Sequence, residues 1–261
     1  MSYIPAQAMQ RHSSCIVSKF TSLVHLSEFE KGLLAELENN AVEVDGGDLI
    51  LGAEQESPPL YIVKKGWLIT EFTDPEGHRS LVRTHHPGDI IGFSDLPFRT
   101  TSYRTYAVSN SVICPFTRAN LNVLFTTSPR LSSIFLTISL IEQSLQDDRA
   151  RLSGTNYAAG RVALFILQTI NRLSFIPNHS ADRFYCPMTQ TDIGDLLGLT
   201  NVHVSRTFKK LEDAAFITRK QSFIQILNKK ELETLAQYTD RLKGYDFSWL
   251  PDASPASQLR N

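Results

Sequence analysis

Two short amphipathic helices joined by a glycine turn, Thr189 to Ile217 (TQTDIGDLLGLTNVHVSRTFKKLEDAAFI), constrain this chain more than any other feature. Thr189 stands three residues before Asp192, the spacing of a capping box. Ile193, Leu196 and Leu197 give the first helix its apolar side, and Gly198 permits the sharp exit a helix end needs. Thr200 caps a second helix that runs to about Ala214. Its apolar side is Val204, Phe208 and Leu211, at steps of four and three. The opposite side carries Asn201, Val202, Ser205, Arg206 and Lys209. This is the build of a helix-turn-helix, which lays its second helix in the DNA major groove.

A surface helical hairpin with solvated charges would show part of the same pattern. Two further features weigh against it. Phe216 to Arg219 and Phe223 to Leu227 read as short strands around Lys220, Gln221 and Ser222, a wing behind the second helix. From Thr200 to Lys230 there are seven Lys or Arg against Glu212 and Asp213, a local +5 in a chain of net charge −1. A basic patch in a near-neutral protein is the footprint of phosphate binding. The candidate DNA-contacting residues are Thr189, Gln190, Thr200, Asn201, Val202, His203, Ser205, Arg206, Lys209, Lys210 and Lys220. Arg206 is placed to bond a guanine edge, and the lysines to meet phosphate. Val202 either meets a thymine methyl or is merely tolerated there.

The front half reads differently. From Leu26 to Phe125, turns at Gly46-Gly47-Asp48, Gly52, Asp74 to Gly77 and Pro87-Gly88-Asp89 punctuate short strand candidates. These are Leu60–Val63, Trp67–Phe72, Arg79–Thr84 and Ser111–Phe116. Helical pieces flank them at 27–39 and 118–124. Strands so closely spaced indicate a small barrel or sandwich.

Together these parts resemble the CRP/FNR family of bacterial transcription regulators. The run Leu60 to Gly92 resembles the β-roll of the cyclic-nucleotide-binding superfold, and the PGD turn, Gly160-Arg161 and TQTDIG with VSR are the further anchors. The likeness covers about Leu26 to Leu227. It implies an α+β chain: an N-terminal, jelly-roll-like β-roll sensor domain, a long dimerisation helix, and a C-terminal winged helix-turn-helix. The expected bounds are 1–25 for a tail, 26–127 for the roll, 128–155 for the helix, 156–230 for the DNA-binding domain and 231–261 for an extension. Within that extension 231–242 reads as helical, and the placing of Trp249 stays open.

On the long helix, Leu131, Ile134, Ile138, Ile141, Leu145 and Leu152 repeat at steps of three and four, broken by Asp148. A heptad seam of this kind calls for a second copy, and the resemblance implies a parallel dimer. The competing reading is a helix packed on its own β-roll. A dimer implies a two-fold operator on double-stranded DNA, and the resemblance also implies a contact with RNA polymerase.

In the cyclic-AMP-binding members a Glu holds the ribose, an Arg and a Ser hold the phosphate, and two dimer-helix residues meet the adenine. The corresponding positions here are Phe93, Thr101, Ser102, Gln146 and Asp147, of which only Ser102 matches. Losing a buried charge-assisted partner costs about 2–5 kcal/mol, so the cyclic-nucleotide site reads as abandoned. Three scattered cysteines, Cys15, Cys114 and Cys186, do not form an iron–sulfur or zinc pattern, and the odd, low count suits a reducing cytosol. Haem stays open through His85 and His86, two adjacent histidines read as a solvated loop pair. No cofactor is expected. There is no P-loop, GxSxG, HExxH or Rossmann fingerprint, so no enzyme is indicated. No apolar run reaches membrane-spanning length, which points to the cytoplasm without a membrane partner. Three functions remain: a DNA-binding regulator independent of cyclic nucleotide, a regulator gated by another ligand such as haem, and an adaptor that acts on a protein partner.

Overall fold

The computed structural model describes residues 14–154, 157–240 and 244–252. Eight strands build the front half: β1 (Val42–Val44), β2 (Leu49–Leu51), β3 (Leu60–Lys65), β4 (Leu68–Thr73), β5 (Arg79–His85), β6 (Ile90–Ile91), β7 (Arg104–Ala107) and β8 (Ser111–Phe116). They form two antiparallel four-stranded sheets, ordered β1-β8-β3-β6 and β2-β7-β4-β5. The chain changes sheet between β3 and β4 at Gly66, whose φ is +87°. A side chain there would meet Ser111 Oγ at 2.1 Å, so only glycine fits the corner. Leu51, Val63, Leu68, Ile91, Ala107 and Ile113 fill the space between the sheets. All four strands expected from the sequence are present. The others have two to four residues each, too few for an alternating pattern to show.

Three helices close the roll: α1 (Cys15–Leu23), α2 (Glu28–Glu36) and α3 (Arg118–Thr127). The expected tail at 1–25 is corrected by α1. Ser14 caps it, and Ile16 and Phe20 are fully buried against Leu34, Leu60 and Phe135. Residues 1–13 and 253–261 lie outside the described residues.

The long helix α4 (Pro129–Ser153) starts at the Ser128 cap with proline in its first turn, where a missing N–H removes no helical bond. Its apolar stripe exists but faces inward. Leu131 and Ile134 are buried in the core beneath the roll, Leu152 is buried in the core of the DNA-binding side, and Leu145 is buried between them along the helix. Ile138 packs against the roll core and Ile141 is half-buried. The dimer seam expected at these six positions is therefore corrected: four have no surface left for a partner. The free face lies opposite, at Leu136, Leu140, Gln143, Asp147 and Ala150.

The back half comprises α5 (Ala158–Leu173), β9 (Arg183–Tyr185), α6 (Gln190–Leu197), α7 (Asn201–Asp213), β10 (Ile217–Lys220), β11 (Phe223–Ile226) and α8 (Lys229–Ala236). One core joins it to the roll: Trp67, Ile69 and Leu81 pack with Phe184, Ile193 and Phe208. The helix expected at 231–242 spans Lys229–Ala236 and ends where Gln237 turns left-handed; Leu242 lies outside the described residues. Leu232 and Ala236 are fully buried, and a side chain on Gly160 would come 2.9 Å from the Leu235 carbonyl. Helix α8 thus belongs to the same body as α5. Further on, Trp249 stays half exposed, Leu250 enters the roll core, and the Pro251 carbonyl accepts a hydrogen bond from Arg130 Nε at 2.7 Å.

Candidate nucleic-acid interface and domain junction

The two-helix unit is fixed by local chemistry. Thr189 and Asp192 cap α6 reciprocally: each side chain accepts a hydrogen bond from the other's backbone N–H. Gly194 lets the helices approach, because a side chain there would lie 2.5 Å from the Leu199 carbonyl. Gly198 is left-handed at φ +63°, and Thr200 caps α7 through the His203 N–H. Val204, Phe208 and Leu211 are buried on one side of α7. Thr200, Asn201, Val202, His203, Ser205, Arg206, Lys209 and Lys210 are all exposed, as are Thr189, Gln190 and Lys220. Val202 keeps 51% of its surface, so it is not a core residue. Thr189, Gln190 and Lys220 border one groove between the start of α6 and the wing.

The wing has a third strand that the sequence did not reveal. β11 pairs antiparallel with both β10 and β9. β9 adds Arg183, whose guanidinium lies 4.1 Å above the Phe223 ring, and Tyr185, exposed beside the same ring. Arg219, by contrast, is spoken for: it pairs with Glu212 at 2.8 Å and covers Phe208.

Two arginines bind the interface to the rest of the molecule. Arg161 donates to the carbonyls of Leu152 and Ser153 at the end of α4 and to those of Leu197 and Gly198 at the end of α6. It satisfies carbonyls that a helix end leaves free. Arg79, on β5, pairs with Glu71, with Asp192 at 2.8 Å and with Asp195 at 3.3 Å, so the β4–β5 hairpin holds the first helix of the motif. Burial opposes charge on Asp192, but Arg79 and Thr189 outweigh it and lower its pKa.

Deeper in the junction, Arg172 of α5 reaches into the roll. It donates to Asp89 at 2.6 Å and to the Thr84 carbonyl at 3.1 Å, and lies 3.3 Å from Glu142. Asp89 also takes Lys19 and the His86 N–H. Burial opposes its charge, yet Arg172 and Lys19 hold its carboxyl well below the usual carboxylate range. Residues 83 positions apart in the chain therefore bolt the two halves together.

The positions carried over from cyclic-nucleotide sites do not converge. Phe93 and Gln146 border a cavity between α1, the β5–β6 turn and α4. Thr101 is buried and donates to the Gly52 carbonyl at 2.6 Å, whereas Ser102 and Asp147 are exposed. The histidine pair is also corrected: His85 and His86 are buried, not solvated. His85 Nε2 is hydrogen-bonded to Thr70 Oγ1 at 2.7 Å. The His86 ring packs edge-on to Trp67, with centroids 4.2 Å apart. Burial pushes the His86 imidazole down to about 4. One ring is hydrogen-bonded and the other is packed in the core. Among the described residues, no three His, Cys, Asp or Glu gather as a metal site. The three cysteines are separate, and burial raises Cys15 and Cys114 to about 11 and Cys186 to about 12. They are neutral thiols at physiological pH.

Residues 160–235 match the model of the Crp-like helix-turn-helix domain, and residues 41–128 that of the cyclic nucleotide-binding domain. Over 212 residues the chain is 30% identical to the nitrogen fixation regulation protein FixK of Bradyrhizobium diazoefficiens, spanning 80% of this chain and 88% of that one. The chain belongs to the CRP/FNR family of transcription regulators. The fumarate and nitrate reduction regulatory protein of Vibrio cholerae is 25% identical over 222 residues, covering 85% and 88% of the two chains. The solved structure of FixK2 from Bradyrhizobium japonicum superposes with a TM-score of 0.67 at 23% identity, over 75% of this chain and 96% of that one; it shares the fold. This CRP/FNR protein is a DNA-binding regulator and not an enzyme. No single helix among the described residues is long and apolar enough to cross a membrane.

Proposed function

We propose that this CRP/FNR protein acts in the cytoplasm as a homodimer on a two-fold operator, and that it does so without cyclic AMP. The observation that carries the reading is the exposed face of α7. Eight candidate contact residues lie free from Thr200 to Lys210 while the opposite side is buried. Arg206 is the base reader, with Val202 one turn earlier on the same stripe. Lys209, Lys210 and Lys220 are placed for phosphate, and Arg183 joins them from the wing. Contact with RNA polymerase comes with this reading from the family.

The dimer is assigned to the outward face of α4. Leu136 and Leu140 keep 53% and 50% of their surface in the single chain. They stand four residues apart, and Gln143, Asp147 and Ala150 continue the line at heptad spacing. Two such faces meeting in parallel bury both leucines of each copy.

Independence from cyclic AMP rests on Phe93 and Thr101, which supply neither a carboxylate for a ribose nor a cation for a phosphate. A gel-shift assay on a pool of genomic fragments, run with and without millimolar cyclic AMP, tests the function. Specific retention that cyclic AMP does not change is expected. Failure to retain any fragment above competitor DNA would favour the adaptor reading instead.

A further inference from the structure

The outward face of α4 is too small to hold a dimer by itself. A stable interface takes about 20–30 residues a side, and this face offers Leu136, Leu140, Gln143, Asp147 and Ala150. Only the two leucines among them are large and apolar. The surface that continues the face is a groove between α4 and the C-terminal segment 244–252. Thr137, Leu140 and Ile141 line it on the helix side, and Tyr245, Phe247 and Trp249 on the other. Leu140 therefore belongs both to the outward face and to the groove.

The C-terminal segment is fixed to the body of the chain. Tyr245 and Phe247 are half-buried with ring centroids 5.3 Å apart, and Phe247 packs against the roll core. The Leu250 N–H donates to the Phe247 carbonyl at 3.0 Å, and the Ser248 N–H to Asp246 Oδ1 at 2.9 Å. Leu250 is buried, and the Pro251 carbonyl is held by Arg130, a buried side chain that also pairs with Glu30. Trp249 stands inside this turn and still keeps 52% of its surface. One exposed apolar side chain is ordinary. Here Leu136 and Leu140 are one helical turn apart, and Leu140 shares its groove with Trp249, so the three form one patch. Its largest member is carried on fixed backbone, so covering it costs little ordering. Tryptophan is also enriched among the residues that carry most of the energy of an interface. The matched DNA-binding domain ends at residue 235, so the segment is an addition to it.

We infer that Trp249 packs on α4 of a second copy, so that segment 244–252 forms the outer part of the dimer interface. The inference rests on the assignment of the dimer to the outward face of α4. When two such faces meet in parallel, the two-fold axis sets one groove on each side of the seam. Trp249 of each copy then spans from its own Leu140 to the partner's helix, and the leucines of the seam are flanked by two indoles.

The test is sedimentation equilibrium of the full chain over a dilution series, without DNA. Trp249→Ala raises the dimer Kd by at least about thirtyfold, and Trp249→Phe, which keeps a ring there, raises it by less than about tenfold. Melting curves report the fold of each variant. Iodide quenching of tryptophan fluorescence needs no change at this position. The chain has two tryptophans, and Trp67 is buried, so iodide reaches neither in the wild-type dimer and one in the Leu140→Glu monomer. A wild-type chain that stays monomeric at every concentration, or a Leu140→Glu chain that stays dimeric, would remove the α4 reading and this inference with it. A dimer that Leu140→Glu dissociates but Trp249→Ala leaves unchanged would overturn this inference alone. So would a dimer whose Trp249 stays open to iodide, which would leave the groove to some other occupant.

Discussion

Replacing Arg172 by methionine tests whether the two halves are joined by the buried charge cluster. Arg172 is 7% exposed and Asp89 is 6% exposed, so water does not replace either partner. Removing one member of a buried pair typically costs about 3–5 kcal/mol, because the other charge is left uncompensated. Asp89 keeps Lys19 and the His86 N–H, which places the expected loss near the lower end, about 3 kcal/mol. For a chain of this size each kcal/mol moves the melting temperature by about 2–4 °C, giving a fall of about 6–12 °C. The informative assay is a double-mutant cycle with Asp89→Asn, followed by urea unfolding. If the pair carries the effect, Arg172→Met costs much less in the Asp89→Asn background, with a coupling of about 2 kcal/mol or more. Losses that add to within about 0.5 kcal/mol would mean the two side chains act independently and would refute the reasoning.

Other predictions concern pH, assembly and base reading. The His86 imidazole falls from its ordinary 6.5 to about 4 in the folded chain, so the unfolded chain binds its proton first as pH drops. Stability is fully present above about 6.5 and is lost as pH falls from there towards 4, with a slope of about 1.4 kcal/mol per pH unit from this group; His86→Phe should flatten that slope in urea melts between pH 7 and 5. Leu140→Glu should leave a folded chain that light scattering reports as a monomer, whereas Leu131→Glu, at a fully buried position, should unfold it. A folded Leu140→Glu dimer would remove the outward face of α4 from the assembly. Arg206→Ala should cost about 1–3 kcal/mol on the best site and relax one base position, while Lys220→Ala should weaken all sequences alike and reduce the salt slope; equal loss of discrimination in both would contradict the division of roles.

The DNA-binding unit was legible because its determinants are local. Thr189, Asp192, Gly198, Thr200 and the buried set Val204, Phe208 and Leu211 lie within one short stretch, and helix period separates their two faces. The long helix was legible in extent but not in orientation. A stripe at steps of three and four looks the same whether it faces a second copy or, as Leu131, Ile134 and Leu152 do, two halves of its own chain. The exposed pair Leu136 and Leu140 was too short a signal to compete with it. Helix α1 had a usable sign in Ser14 before Ile16 and Phe20, a cap and a one-turn repeat. Strand β9 had none, since three residues gain their strand character only by pairing with β11. In sequence the histidine pair reads as solvated because a neighbouring PGD turn suggests solvent, while its burial comes from Trp67 and the distant α5. The Asp89–Arg172 cluster is the same case: its members meet only through the tertiary fold.

Selection of bound DNA from a random pool, with the purified chain and with and without cyclic AMP, tests the central claim most directly. The account predicts one enriched motif with two inverted halves, centred about one helical turn or 34–36 Å apart, identical in both conditions. A guanine read by Arg206 should appear in each half, and Val202→Glu should move one neighbouring preference toward a pair presenting cytosine. A motif that appears only with cyclic AMP would contradict the reading of Phe93 and Thr101. A single unrepeated half would contradict the dimer, and no enrichment at all would contradict the assignment of α7 as a reader of DNA.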